Sequence, residues 1–346
     1  MIRITACIMA VILVFAATSW AQGYDALVRQ AEKKLGDKKY AEALELYEKA
    51  FATGEFHYKD FYNAACASTR LDDPDKAFAY LDRAVAAGLI EKQWLEQDED
   101  LKGLHKDKRW EAFMAGLQAK LMEIEKAFTE KHTETELIDL PTPRFESEVS
   151  VEEAMKNRRS IRSYEDTPLT IAEVTQLLWA AYGITKKSEK YPAFVRGGLR
   201  TAPSAGARFP LDVYLVVRNV DGLDKGVYLY KSETHQLVTV VKGDKWADLS
   251  EAGFNQTHFQ TAAAALVYSA VFERNMVKYG QRGRERYVCM DLGHSAQNVY
   301  LQAYALNIGT CAIGAFTDLW LKQVTGMTRN EEPLYIMPLG KVKASE

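Results

Sequence analysis

Arg158-Arg159-Ser160-Ile161-Arg162 places three guanidiniums and a hydroxyl within five residues. Paired, planar N–H donors of this kind suit a phosphate or another compact anion. About forty residues on comes Thr201-Ala202-Pro203-Ser204-Ala205-Gly206-Ala207-Arg208-Phe209-Pro210, small side chains between two prolines. Such a segment lets backbone approach a flat ligand closely. The arginines alone would also suit a solvated helix end. Taken with the second segment, they point to a phosphorylated, planar cofactor held in a cleft.

Other chemistry is sparser. Asp291 and His294 stand three apart on a helical stretch, a spacing metals use, but no third ligand accompanies them. That favours a core or supporting role for the histidine. The chain has no G-x-S-x-G elbow, phosphate-binding Walker loop, paired-cysteine zinc motif or G-x-G-x-x-G. Serine-hydrolase, nucleotide-triphosphatase and Rossmann readings therefore lose their usual support.

The elements that must position these groups follow a start that reads as an address. Met1-Ile2-Arg3 is basic, Ile8 to Ala17 is apolar, and Ser19-Trp20-Ala21 is a small-residue cleavage site. Residues 1–21 thus read as a bacterial signal peptide, implying a periplasmic or secreted protein with no membrane span after cleavage. Cys66, Cys289 and Cys311 remain, odd in number and widely spaced, which is no disulfide framework. Cys66 and Cys311 lie in apolar patterns and read as buried thiols. With 346 residues, 47% hydrophobic, the chain is long enough for one or two cores. A net charge of -3 gives no reason to expect nucleic acid.

Residues 24–128 are helical in period and repeat every 34 positions. Ala31 aligns with Ala65, Ala43-Leu44 with Ala77-Phe78, Tyr47 with Leu81, Ala50 with Ala84, and Gly54 with Gly88. This resembles two tetratricopeptide repeats and a capping helix over residues 110–128. Partner docking and a packing appendage are both open readings. Residues 129–150, charged and carrying Pro141 and Pro143, form a linker or extended arm.

From 151 to 346 helices and strands alternate. Thr170-Ile171-Ala172-Glu173 has capping-box spacing. Strands are expected at Val213–Val217, Val227–Tyr230, Leu237–Val241, Ala264–Val271, Cys311–Phe316 and near Leu334–Val342, with a long helix over Asp291–Leu306. The class is α+β.

Three stretches carry a family likeness: RRSIRSY (158–164), TAPSAGARFPLDVYLVV (201–217) and GHSAQNVYLQAYALNIGT (293–310). With Gly226–Tyr230 and Pro338-Leu339-Gly340-Lys341, they resemble the nitroreductase-fold FMN enzymes, and among these the SagB-like dehydrogenases. The resemblance implies an antiparallel sheet flanked by helices, FMN as cofactor, and a homodimer. It implies Arg158, Arg159 and Ser160 near the FMN phosphate and Arg162 near the flavin N1–O2 edge. Pro203, Ser204, Ala205 and Gly206 would lie against the ring, and Ile313, Gly314 and Ala315 would face N5. Gly340 and Lys341 would complete the phosphate site. Lys278-Tyr279 resembles the catalytic pair of azoline dehydrogenases, where proton abstraction accompanies hydride loss. Arg274, Arg282 and Arg284 would supply nearby positive charge.

An export signal and helical repeats set this chain apart from azoline enzymes that work beside intracellular partners. It is expected to oxidise a small-molecule or peptide substrate and to pass electrons to oxygen, a quinone or a redox partner. Two alternatives stand beside this: an NAD(P)H-dependent nitro or quinone reductase, and a repeat-based binding protein with a degenerate flavin domain.

Overall fold

The computed structural model describes residues 23–53 apart from Asp25, 58–86, 92–127, 132 and 136–343. The expected signal peptide, Gly54 and Gly88 lie outside these residues. The chain divides into two units, Met1–Ile124 and Glu125–Glu346.

The first unit is helical: α1 (26–36), α2 (Tyr40–Phe51), α3 (Tyr58–Arg70), α4 (Pro74–Ala86), α5 (Lys92–Gln97) and the start of α6 (Trp110–Ala127). Its buried faces are the positions that recur every 34 residues. Ala31, Ala43, Ala50, Ala65, Ala77 and Ala84 are fully buried, as are Tyr47 and Leu81. Small residues at these points let the helix axes approach, while Tyr47 and Leu81 fill the grooves.

The second unit is built on seven strands: β1 (Leu137–Asp139), β5 (Leu211–Val217), β7 (Gly226–Lys231), β8 (Gln236–Lys242), β9 (Ala264–Ala270), β10 (Ile308–Thr310) and β11 (Glu332–Lys341). Short strands β2 (Leu169–Thr170), β3 (Ile184–Lys187), β4 (Gly198–Arg200) and β6 (Val220–Asp221) pair apart from them. The sheet order is β1-β8-β7-β5-β9-β11-β10, with every neighbouring pair antiparallel. Side chains alternate across it as a two-residue period requires. Leu211, Val213, Leu215 and Val217 face one core, with α8 (Ile171–Tyr182) and α11 (Val288–Ala305). Tyr214 and Val216 face the other, with α9 (Trp246–Ala252) and α12 (Asp318–Thr325). Two shorter helices, α7 (Val151–Asn157) and α10 (Glu273–Tyr279), flank the site. The capping box at Thr170 and Glu173 is present.

Two expectations need correction. The linker contributes strand β1, paired with β8 through Leu137–Asp139, so the second unit begins before residue 151. The strand expected at Cys311–Phe316 lies earlier, at Ile308–Thr310. Between Thr310 and β11 the chain leaves the sheet and pairs with it only through the Ile313–Ile336 bridge. An apolar run there marks burial, not pairing. The reading of Cys66 and Cys311 as buried thiols holds; Cys289 is exposed, and all three are free thiols.

Candidate functional site

Ser150 caps α7 by accepting from the Glu153 amide at 3.0 Å, and the helix ends at Arg158 with extended backbone. Arg158 to Arg162 therefore runs across the end of the sheet, where the Ile161 amide donates to the Thr310 carbonyl at 3.0 Å. Arg158 and Arg159 line a cavity of about 130 Å³ together with Tyr300, Asn307, Thr310 and Val342. Among the described residues, no carboxylate pairs with Arg158, Arg159 or Arg162. The buried Thr310 hydroxyl has no partner either. A cationic cavity with an unanswered hydroxyl has the chemistry of an anion site.

Tyr300, on α11, ties this cavity together. Its ring lies 5.1 Å below the Arg158 guanidinium. Its hydroxyl is 3.3 Å from Ser160 Oγ and accepts from the Ala312 amide at 2.7 Å. One phenol thus joins the arginine segment, the long helix and the loop carrying Ile313, Gly314 and Ala315. Near Arg162 stands the half-buried His258. Its Nδ1 has no partner, and burial followed by the Arg162 charge holds its imidazole below the ordinary range.

The 201–210 segment is clamped by Asp291. This buried carboxylate accepts from Ser204 Oγ at 2.6 Å and from the Ala205 amide at 3.1 Å, and Ser204 Oγ accepts from the Phe209 amide at 2.9 Å. Burial pushes the Asp291 carboxyl up, against the pull of those bonds. The clamp holds Gly206, Ala207 and Phe209 at positive φ of 61°, 55° and 46°. At Gly206 the missing side chain leaves room for two others: an added Cβ would meet the Tyr279 hydroxyl and stand 2.9 Å from Lys278 Nζ. Lys278 Nζ is 5.1 Å from the Tyr279 ring. Residues more than seventy apart in sequence are thereby brought together.

Other expected residues are placed differently. Gly340 lies against Tyr164, whose Cγ would be 2.7 Å from an added Cβ, so this glycine serves packing. Lys341 is ion-paired with Glu173, the α8 capping residue, in a depression that shares Asn307 and Val342 with the arginine cavity. Arg274 is turned inward onto Asp212 at 2.8 Å, so it is not a free charge near Lys278. Lys278 itself is exposed, so this chain supplies it no burial. Ile313 is buried in its bridge to Ile336, while Gly314 is open, its nearest would-be contact being Tyr335 at 3.7 Å. Pro203 is exposed. His294 is exposed rather than in the core. Sequence reasoning passed over Tyr300, Thr310 and His258, and treated Asp291 only as half of a metal spacing.

Comparison with known proteins agrees with this layout. A model of the nitroreductase family matches residues 155–341. A nitroreductase-type protein of Methanocaldococcus jannaschii is 38% identical over 204 residues, covering 59% of this chain and 96% of that one. The microcin B17-processing protein McbC of Escherichia coli is 26% identical over 211 residues, 58% of this chain and 74% of that one. The trifolitoxin-processing protein TfxB of Rhizobium leguminosarum is 30% identical over 113 residues, and the match spans 30% of its length. Among solved structures, a nitroreductase-type protein of Anabaena variabilis superposes with a TM-score of 0.52 at 27% identity, covering 60% of this chain and 42% of that one.

Proposed function

The chain belongs to the nitroreductase family, and from that premise we propose that it is an exported, FMN-dependent oxidoreductase of the SagB-like type that oxidises its substrate. The observation that carries this is Tyr300, which lines the cavity of carboxylate-free Arg158 and Arg159 and whose hydroxyl reaches both Ser160 Oγ and the Ala312 amide. The residues present fit a phosphorylated planar group. Arg158, Arg159, Ser160 and the unpartnered Thr310 hydroxyl would hold its phosphate, and Arg162 its pyrimidine edge. Pro203, Ser204, Ala205 and Gly206 would line its ring, with Ile313, Gly314 and Ala315 opposite. When bound, FMN supplies a hydride acceptor.

Within this reading, Asp291 fixes the ring-facing loop, and Tyr279 with Lys278 in its neutral amine form would receive the proton that leaves the substrate as its hydride departs. The fixed Arg162 charge favours negative charge gathering beside it. Electrons pass on to oxygen, a quinone or a redox partner. The likeness to two proteins named for processing trifolitoxin and microcin B17 supports a peptide or small-molecule substrate. Exposed Phe145, Val151 and Met155 support a homodimer. Burial of residues 34 apart supports a tetratricopeptide-like partner-binding role for the first unit. No helix among the described residues is long and apolar enough to cross a membrane; export rests on residues 1–21.

The test is the direction of electron flow. Chemically reduced, flavin-loaded protein should be reoxidised quickly by oxygen or a soluble quinone and turn over slowly with NADH. Rapid turnover with NADH and no reoxidation by those acceptors would make it a reductase instead.

A further inference from the structure

Residues 273–287 carry five cations, Arg274, Lys278, Arg282, Arg284 and Arg286, against two acids, Glu273 and Glu285. Only Arg274 is neutralised, by Asp212. Among the described residues the other four have no carboxylate partner, and all four are exposed. Several cations elsewhere in the unit are answered. Arg196, Arg218, Lys225, Lys242 and Lys341 each pair with an acid. Like the Arg158–Arg162 segment, this rim keeps its positive charge unpaired on a chain of net charge -3.

Two of these cations, Arg282 and Arg284, are held in place. Arg282 Nε donates to the Tyr287 hydroxyl at 2.9 Å, and the Arg284 guanidinium lies 4.4 Å from the Phe272 ring centroid. Tyr287 packs edge-on to Tyr279 at 4.9 Å, and Tyr279 reaches Gly206. The segment 283–287 is a single π-helical stretch between α10 and α11. From the loop side, the Arg208 guanidinium lies 4.1 Å over Phe194, and its buried Nε has no partner.

We propose that the substrate of this site is an anion, a molecule bearing a carboxylate, recognised by Arg282 and Arg284 and drawn toward Lys278. The inference rests on the reading of the site as an oxidoreductase centre. Fixed, unpaired guanidiniums give their donors at little ordering cost and reject neutral analogues that leave them unanswered. They also raise the local concentration of anions.

The probes are 4-nitrobenzoate and 4-nitrobenzamide, alike in shape and different in charge, titrated into the full-length protein by calorimetry. The benzoate should bind roughly tenfold or more tightly, the scale of one charge-assisted hydrogen bond. The preference should shrink when salt rises from roughly 50 to 500 mM. It should disappear in Arg282→Gln/Arg284→Gln and persist in Arg282→Lys/Arg284→Lys, which keeps the charge. Equal affinities, no binding of the benzoate, or an unchanged preference in the glutamine variant overturns the inference. Flavin content is read on the same samples. Yellow protein without the preference refutes this inference alone; colourless protein with it refutes the oxidoreductase reading and keeps the cationic rim.

Discussion

Replacing Asp291 should release the loop that faces Lys278 and Tyr279. Its carboxylate accepts from Ser204 Oγ and the Ala205 amide, bonds that contribute about 1.5–3 kcal/mol each when the acceptor is charged. Desolvation of the buried acid offsets part of this. Asp291→Ala would leave the Ala205 N–H without an acceptor while the loop still holds three residues at positive φ. A loss of roughly 2–4 kcal/mol of local stability follows. Amide hydrogen exchange at Ala205 reads it directly, as a fall in protection of roughly 30-fold to 1000-fold. Asp291→Asn keeps the Ser204 bond and turns a donor toward Ala205, so its loss should be about 1–2 kcal/mol. Because burial raises the folded-state value, this group's contribution to stability is full at low pH and declines as pH rises through that value. The gap between wild type and Asp291→Asn should therefore narrow with rising pH, above the ordinary aspartate range. Asp291→Ala within about 0.5 kcal/mol of wild type, the scale of an ordinary surface change, would refute the clamp. So would a gap that widens with pH.

Gly206→Ala should cost about 1–2 kcal/mol for its left-handed backbone, plus the crowding of Lys278 and Tyr279. In a double-mutant cycle, Lys278→Ala should relieve part of that cost by 0.5 kcal/mol or more; strict additivity would separate the two residues. Glu331 is buried and accepts from Tyr214, Ser269 and Thr328. Burial pushes its carboxyl up, but the His132 contact and the Thr328 and Ser269 bonds outweigh it and hold the value below the usual range. Its contribution is therefore present above the ordinary glutamate range and lost as pH falls through the folded value. Glu331→Gln should cost roughly 3 kcal/mol at neutral pH and flatten the acid side of a thermal-melt pH series. A melt matching wild type at every pH would contradict this.

The fold was legible where chemistry is local and periodic. Alternation along Val213–Val217 and Ala264–Ala270 marks strands with two buried faces, and Thr170 with Glu173 marks a helix start. Burial without pairing was not legible, which is why Ile313 suggested a strand that its single bridge does not make. Nor was the short strand Leu137–Asp139, whose side chains are mostly exposed and whose register comes from β8. At the site, residue types were readable and partners were not. Lys341 suited an anion by type, yet Glu173 lies beside it only because β11 ends against the α8 cap. Tyr300 looked like one aromatic among several on a helix. Its importance comes from the tertiary fold, which brings Ser160 and Ala312 to its hydroxyl.

Arg158, Arg159 and Arg162 are proposed to hold a flavin phosphate and ring edge beside Tyr300. The visible absorption spectrum of the protein, purified without added flavin and compared with Arg158→Ala/Arg162→Ala, tests it most directly. The account predicts oxidised-flavin bands in the wild type, released as FMN on denaturation, and a colourless double variant with a native far-ultraviolet circular dichroism spectrum. A wild type that stays colourless after FMN is added, or a double variant as yellow as wild type, would contradict it.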